Sequence, residues 1–253
     1  MTEFHREIDV ENLWPTIWRE ARTAADKFPL LADFYTRNLL NHACFGEALA
    51  YILAEKLADT PEHINHWQCY LRGVLEKDPA IEQAALKDLL CQLQSNASIK
   101  DHYTPVLYFG GYQALQCYRF AHSCWISDQR PMANYIQGKV VSMFGVDIHP
   151  AAKVGAGIFL DHAVGIVIGE TAVVEDDVTL FQNVTLGGTG KGEGDRHPKV
   201  RQGAFIGSGA VIFGNIEIGA GAKIAGGAVV VKPVAPQTTV VGPLATALNQ
   251  RVA

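Results

Sequence analysis

Aliphatic residues recur at every sixth position through the second half of the chain. Counting from Ile148 in steps of six gives an unbroken aliphatic series to Val184, and a second series runs from Val200 to Val230. An α-helix of 3.6 residues per turn cannot keep a period of six on one face, whereas short strands joined by tight bends can. The thirteen hexads therefore predict a parallel β-helix of hexapeptide repeats with about four coils.

The two series are separated by an insertion. Val184 and Val200 are sixteen residues apart, ten more than one hexad. This excess predicts a loop, residues 188–199, that is extruded without disturbing the stack of coils, and insertions in solenoids often carry the binding function. The loop sequence GTGKGEGDRHPK lacks the glycine and hydroxyl positions of a phosphate-binding P-loop, which excludes an ATPase of that class.

The first half of the chain has a helical pattern instead. Leu13, Ile17 and Ala21 repeat every four residues, as expected for the buried stripe of an amphipathic helix. Asp78 and Thr104 each precede a proline, which is typical of helix starts.

Glycine marks the boundary between the halves: 4 of the 24 glycines lie in residues 1–137 and the other 20 follow. The fold class is therefore predicted as α+β. We expect an all-helical domain over residues 1–143, a β-helix over 144–241, and a short tail over 242–253.

Composition and charge exclude several classes of protein. The net charge is -5, and no basic block occurs that would indicate a nucleic-acid partner. The chain has no apolar run of membrane-spanning length and no apolar signal segment at its N-terminus, so we expect a cytoplasmic protein with no membrane contact. The five cysteines lack metal-binding or redox spacing and are expected to be buried reduced thiols.

The repeat region contains histidines and carboxylates but no cysteine, and two chemistries are open to it. Three imidazoles could hold a zinc ion that activates water, or one imidazole could act as a general base toward a hydroxyl with a carboxylate orienting it. The candidate groups are His149, His162, His197, Asp147, Asp161, Glu170 and Asp195.

Spacing favours the general base. A coil of eighteen residues would stack Asp147 on residue 165, close to His162. His197 lies in the extruded loop, where a metal ligand would be poorly held, and His149 precedes a proline and is expected to close a turn. Asp161 and His162 are adjacent and would point to opposite faces of an extended strand.

Three motifs in the repeat region, DIHPAAKVG, LDHAVGIVIGET and GGTGKGEGDRHPK, resemble those of the serine O-acetyltransferases of the hexapeptide-repeat acyltransferase superfamily. The helical segments EARTAADKFPLLADFY and YTPVLYFGGYQALQCYR resemble that family too. The resemblance implies a left-handed β-helix that transfers the acetyl group of acetyl-CoA to the hydroxyl of L-serine, the first step of cysteine biosynthesis. It also implies direct attack without an acyl-enzyme and without a metal.

The same resemblance assigns roles to individual residues. His162 is the expected general base, and Asp147 the carboxylate that orients it. Asp161 is expected to hold the substrate ammonium and Arg196 the substrate carboxylate, while His197 completes the pocket.

The resemblance further implies a coenzyme A groove and an oligomer. The groove would be formed by Gly187, Gly188, Ala204, Ala222 and Lys223. Members of the family are trimers with active sites between subunits, often paired into hexamers through their helical domains, and cysteine is an expected feedback inhibitor.

Three departures from the family pattern affect these expectations. Asn96, in SNAS at residues 95–98, stands where the family has an aspartate that contacts the substrate ammonium, which leaves open homoserine or another hydroxy amino acid as acceptor, or another acyl-CoA as donor. The sequence GPLAT at residues 242–246 lacks the family's basic residue. The chain ends at RVA, residues 251–253, which predicts no strong complex with O-acetylserine sulfhydrylase. A non-catalytic regulatory paralogue and a zinc hydratase are the rival functions.

Overall fold

The computed structural model of the protein describes residues 10–190 and 193–245. The C-terminal end at residues 251–253, on which the sulfhydrylase prediction depends, lies outside them. Helices occupy the chain up to Phe144 and parallel strands follow from Asp147. The helices are α1 Val10–Lys27, α2 Pro29–Tyr35 continued by a π-helical turn Thr36–Leu40, α3 Phe45–Leu57, a 3-10 turn Pro61–His63, α4 Ile64–Lys77, α5 Ala80–Ser95, α6 Thr104–Tyr108, α7 Gly110–Ile126 and α8 Arg130–Phe144.

The predicted helical signals are present, with two differences in detail. The four-residue repeat of α1 is fully buried, and Asp78 accepts a hydrogen bond from the Ala80 N–H at the start of α5, at 3.3 Å. Thr104, however, lies inside α6, and Asp101 caps that helix by accepting the Thr104 N–H at 2.7 Å. The helical segment YTPVLYFGGYQALQCYR is interrupted, because Phe109 has an extended conformation between α6 and α7.

The second part is a β-helix with three parallel sheets, which confirms the predicted fold class. Sheet A has the order β1-β4-β7-β10-β13, sheet B β2-β5-β8-β11 and sheet C β3-β6-β9-β12-β14. This makes nearly five turns rather than about four. The strands are β1 Asp147–Ile148, β2 Lys153–Val154, β3 Phe159–Asp161, β4 Val167–Ile168, β5 Val173–Val174, β6 Thr179–Phe181, β7 Thr185–Gly187, β8 Lys199–Val200, β9 Phe205–Ile206, β10 Val211–Phe213, β11 Glu217–Ile218, β12 Lys223–Ile224, β13 Val229–Val230 and β14 Thr239–Val240.

The first turn of the β-helix is two residues longer than a strict repeat predicts. Asp147 pairs with Val167, twenty positions on, whereas Val167 pairs with Thr185 after eighteen. The two extra residues fall in the segment 162–166, between β3 and β4. The prediction that Asp147 stacks on residue 165 is therefore wrong.

The loop after β7 is correspondingly shorter than expected. The inward-facing residues on either side of it are Leu186 and Val200, fourteen positions apart, so the loop adds eight residues to a hexad and not ten. The six-residue series from Ile166 to Val184 marks buried corner positions instead of strand centres. Its members are as fully buried as the strand residues, which is why the pattern concealed the shift.

A buried ion pair joins the helical part to the first turn of the β-helix. Asp88 on α5 is fully buried and accepts hydrogen bonds from Arg119 Nη2 at 2.7 Å, Gln116 Nε2 at 3.0 Å and the Ile158 N–H at 2.9 Å. Arg119 on α7 also donates to the Gly155 carbonyl at 2.7 Å. Helices α5 and α7 are therefore fixed to the coil that carries Asp161 and His162.

The cysteine prediction holds only in part. All five cysteines are free, and Cys117 and Cys124 are buried, but Cys44 and Cys69 are exposed. Cys44 directly precedes α3 and Cys69 lies on a solvent-facing side of α4. None of the helices in the described ranges combines the length and the apolar character that a membrane crossing requires.

Candidate active site

His162 lies on the two-residue insertion between β3 and β4. Its φ angle is +57° and that of Ala163 is +63°, a conformation that non-glycine residues rarely adopt. His162 Nε2 lies 3.9 Å from Asp161 Oδ2, and the two side chains are 75% and 22% exposed. The prediction that they point to opposite faces is wrong, because His162 is not in an extended conformation.

A pocket of about 370 Å³ lies where this insertion meets the helical part. It brings Asn96, Asp161 and His162 together, as the resemblance implied. Residues that the sequence analysis did not single out complete its wall, namely Ser98, Tyr108, Phe109, Gly110, Gly111 and Leu160. Four of these residues lie in the segment YTPVLYFGG at the start of α7, and the family resemblance of that segment is the signal that could have indicated them.

Asn96 has a defined orientation in this pocket. Its Oδ1 accepts hydrogen bonds from the Ser98 N–H at 3.0 Å and the Ser98 hydroxyl at 2.6 Å. A backbone N–H only donates, so the atom that faces it must be the amide oxygen. The Nδ2 group is the atom left to interact with a ligand.

Asp147 lies on β1 in the same turn. Its Oδ1 accepts a hydrogen bond from Gln137 Nε2 on α8 at 2.7 Å. Gln137 was not anticipated, since no sequence signal connects α8 with the repeat. That Asp147 orients His162 stays a prediction.

His197 lies at a different corner and is firmly held. The side chain is 7% exposed, and its ring occupies the space beside Gly169, where an added Cβ would lie 2.1 Å from ring atoms. Thr171 Oγ1 accepts the backbone N–H groups of Arg196 and His197 at 3.0 and 3.1 Å. The expectation that the loop would hold His197 poorly is therefore wrong.

The hydrogen bonds of His197 also fix its tautomer. Nδ1 accepts the Thr171 N–H at 3.2 Å and lies 2.8 Å from the Thr171 hydroxyl. Because Nδ1 is an acceptor, the neutral ring carries its proton on Nε2. Burial lowers the pKa of His197, and the charge of Arg196 lowers it further, so the neutral ring is favoured.

Arg196 is paired at the same corner. Its Nη2 donates to Glu170 Oε2 at 2.6 Å, and this hydrogen bond lowers the pKa of Glu170. The guanidinium is about one-third exposed. Nη1 donates to the Gly194 carbonyl at 3.1 Å. The donors that remain could reach a carboxylate that approaches beside Glu170.

His149 closes the turn after β1, as expected. Its Nδ1 accepts the Ala151 N–H at 3.1 Å. Its ring packs edge-on against the Trp125 ring, with 5.0 Å between the ring centroids. Burial lowers the pKa of His149. Within the ranges that the structure describes, no three His, Cys, Asp or Glu side chains are grouped so that they could hold a metal ion.

The five residues expected to bind coenzyme A lie at two corners. Gly187 ends β7 and Gly188 begins the loop, where an added Cβ at Gly188 would lie 3.3 Å from atoms of Arg196 and His197. Ala204 and Ala222 are buried between sheets B and C, and Lys223 begins β12. Their role stays a prediction.

The β-helix therefore holds its candidate groups in two sets. The first set, Asn96, Asp161 and His162, lies before β4. The second set, Arg196 and His197, lies with Glu170 and Thr171 after β4. The strands of sheet A separate the two sets within one chain.

Comparison with known proteins gives a consistent family. Residues 13–117 match a model described as serine acetyltransferase, N-terminal. The serine acetyltransferase of Salmonella typhimurium is 48% identical over 238 residues, covering 92% of this chain and 86% of the relative.

Solved structures agree over the same length. A serine acetyltransferase in complex with cysteine has a TM-score of 0.90 at 43% identity and covers 92% of this chain and 97% of the neighbour. The soybean enzyme complexed with serine has a TM-score of 0.89 at 39% identity, covering 93% and 97%. The Brucella abortus enzyme in complex with coenzyme A has a TM-score of 0.89 at 41% identity, covering 95% and 95%.

The motifs, the fold and the relatives indicate the same family over nearly the whole chain. The protein is an acyltransferase and belongs to the serine acetyltransferase family.

Proposed function

We propose that this protein transfers the acetyl group of acetyl-CoA to the hydroxyl of L-serine, giving O-acetylserine and coenzyme A, and so begins cysteine biosynthesis. The observation that carries the proposal is the pocket in which His162 lies beside Asp161 and Asn96. Relatives solved with serine and with coenzyme A support the two substrates.

In this mechanism His162 is the general base. Its imidazole takes the hydroxyl proton while the serine oxygen attacks the thioester carbonyl, and a tetrahedral oxyanion forms. Collapse of that intermediate breaks the carbon–sulfur bond, and the thiolate of coenzyme A takes the proton back from the imidazolium. Asp147 is proposed to orient the ring. No acyl-enzyme and no metal take part.

Substrate binding is proposed to use both sets of side chains. Asp161 holds the substrate ammonium, and Asn96 lines the same pocket with its Nδ2 group as a hydrogen-bond donor. Arg196 binds the substrate carboxylate through the donors that Glu170 leaves free. His197 offers its Nε2–H to the oxyanion, consistent with the tautomer that Thr171 imposes.

This assignment requires that the two sets come from different subunits. Sheet A separates them in one chain, and its outward face carries apolar side chains that are open to solvent, with Val167 39% and Val229 67% exposed. We propose a trimer through this face, in which His162 of one subunit meets Arg196 of the next. Exposed Phe28, Leu30 and Leu31 on the helical part are proposed to join two such trimers into a hexamer.

Coenzyme A is proposed to lie along the groove between subunits. Gly187 and Gly188 allow close approach of the pantetheine arm at the loop base. Ala204, Ala222 and Lys223 would line the part that receives the nucleotide. Cysteine is proposed to compete with serine for the same pocket, as it has nearly the same size, and a relative is known in complex with cysteine.

The base assignment is tested by the purified His162→Ala variant. We expect thiol release from acetyl-CoA in the presence of serine to fall at least about a hundredfold, with unchanged oligomer size and melting temperature. Retention of a tenth or more of the wild-type rate would show that another group removes the proton.

Asn96 supports a second candidate for the substrate that accepts the acetyl group. Because Asn96 stands where the family has an aspartate, the acceptor pocket departs from the family pattern, and a related hydroxy amino acid such as homoserine is the second candidate. Thiol release measured for serine, homoserine and threonine with acetyl-CoA ranks them. A higher kcat/KM for homoserine than for serine would replace serine as the substrate.

A further inference from the structure

The conformation of the His162 segment is unfavourable by itself. His162 and Ala163 are consecutive non-glycine residues with φ of +57° and +63°. Side chains with a Cβ disfavour this region of backbone space, and such segments persist only when their surroundings hold them. The contacts that hold this segment therefore decide where the imidazole lies.

Two of these contacts are backbone hydrogen bonds. The Gly165 N–H donates to the Gly145 carbonyl, at the end of α8, at 2.7 Å, and the Asn183 N–H of the next turn donates to the Val164 carbonyl at 2.9 Å. Both fix the part of the segment that follows His162. The part that precedes it is strand β3, which pairs with β6 through Asp161.

Helix α7 holds the segment from the other side. Gly111, in the first turn of α7, lies so close that an added Cβ would be 2.6 Å from the Leu160 carbonyl oxygen and 2.8 Å from the Ala163 Cβ. Ala163 is completely buried in this contact region. Leu160 and Ala163 are the residues that flank Asp161 and His162.

Helix α7 cannot move away to make room. Arg119, two turns further along it, is bound to Asp88 at 2.7 Å and to the Gly155 carbonyl at 2.7 Å. His122 donates to the Pro150 carbonyl at 2.7 Å. The helix is fixed to the same turn of the β-helix that carries the His162 segment.

We propose that Gly111 is a positioning residue for His162: the absence of a side chain there lets α7 press on Leu160 and Ala163 and keeps the imidazole in its pocket. The proposal rests on the proposed role of His162 as base. It makes the first turn of α7 a determinant of turnover.

The test compares Gly111→Ala with Gly73→Ala. Gly73 lies inside α4, where an added Cβ meets nothing within 4 Å, so it controls for the change in helix propensity. For Gly111→Ala we expect kcat to fall at least about tenfold, because displacements near 1 Å at a catalytic group cost that much or more. The KM for acetyl-CoA and the oligomer size should stay within about twofold of the wild type, and Gly73→Ala should match the wild type throughout.

A second variant covers the case in which Gly111→Ala does not fold. Ala163→Gly removes the methyl group that Gly111 contacts, at a position whose φ suits glycine, so the fold is retained. We expect a several-fold lower kcat with little change in melting temperature, and partial recovery of kcat in the folded Gly111→Ala/Ala163→Gly double variant. Wild-type kcat in either single variant overturns the proposal. Undiminished activity of His162→Ala, measured in parallel, would instead overturn the role of the base.

Discussion

Asn96 presents a donor, not an acceptor, to the pocket that contains His162. Its Oδ1 is occupied by the N–H and the hydroxyl of Ser98, at 3.0 and 2.6 Å. Among the described residues that line the pocket, Asp161 supplies the carboxylate that an ammonium needs. Binding of an amino acid through its ammonium therefore depends on Asp161, because Nδ2 of Asn96 offers the ammonium no acceptor.

Asn96→Asp should strengthen binding of serine. One carboxylate oxygen can keep the Ser98 contacts, and the other replaces Nδ2 with an anionic acceptor. Ionic hydrogen bonds contribute about 1 kcal/mol more than neutral ones, which corresponds to a KM for serine about fivefold lower. Steady-state kinetics at saturating acetyl-CoA measure the change, and the KM for acetyl-CoA serves as the control. An unchanged or higher KM for serine would show that Asn96 does not face the ammonium.

The repeat pattern predicted the strands but not the position of the catalytic candidate. Ile166, Ala172, Val178 and Val184 are as deeply buried as the strand centres, because corner positions of a β-helix also face the interior. A count in steps of six therefore passes over the two-residue insertion that carries His162. Hydrophobicity indicates that a position is buried, but it does not distinguish a strand position from a corner position.

The residues that hold loop 188–199 in place are visible in the sequence, but their spacing alone does not reveal this role. Gly169 makes room for the His197 ring, and Thr171 receives the loop backbone. Both residues lie in the IGET part of a recognised motif, but only the fold places residue 169 beside residue 197. The pairing of Asp88 with Arg119 could not be predicted either, because the two residues are far apart in the sequence and only the fold brings them together.

The junction between the helices and the β-helix should be costly to break. Asp88→Ala leaves the Arg119 guanidinium, which is 8% exposed, without its counter-charge. We expect a loss of about 3 to 5 kcal/mol in the free energy of unfolding, measured by chemical denaturation. The Asp88→Leu/Arg119→Met double variant, which removes both charges, should be markedly more stable than Asp88→Ala. Equal stability of Asp88→Ala and the wild type would show that the pair does not hold the two parts together.

At the scale of the whole molecule, the division of the candidate groups between two corners determines what an isolated chain can do. The His162 side chain is largely exposed, so nothing in the described part of one chain covers the base as a desolvated site requires. The apolar outer face of sheet A lies between the two corners. Burying that face against a second copy would remove apolar surface from water and close the pocket in one step.

Two inactive variants should therefore restore activity when they share a trimer. His162→Ala and Arg196→Ala chains, co-expressed with different tags and purified through both, would form mixed trimers. If a site combines His162 of one subunit with Arg196 of the next, about a third of the sites in the doubly purified mixed trimers have both groups. The matched control combines His162→Ala with Asp161→Ala chains. Because those residues lie at the same corner, 3.9 Å apart, their mixtures should stay inactive. Equal activity of the two mixtures would place the whole site within one subunit.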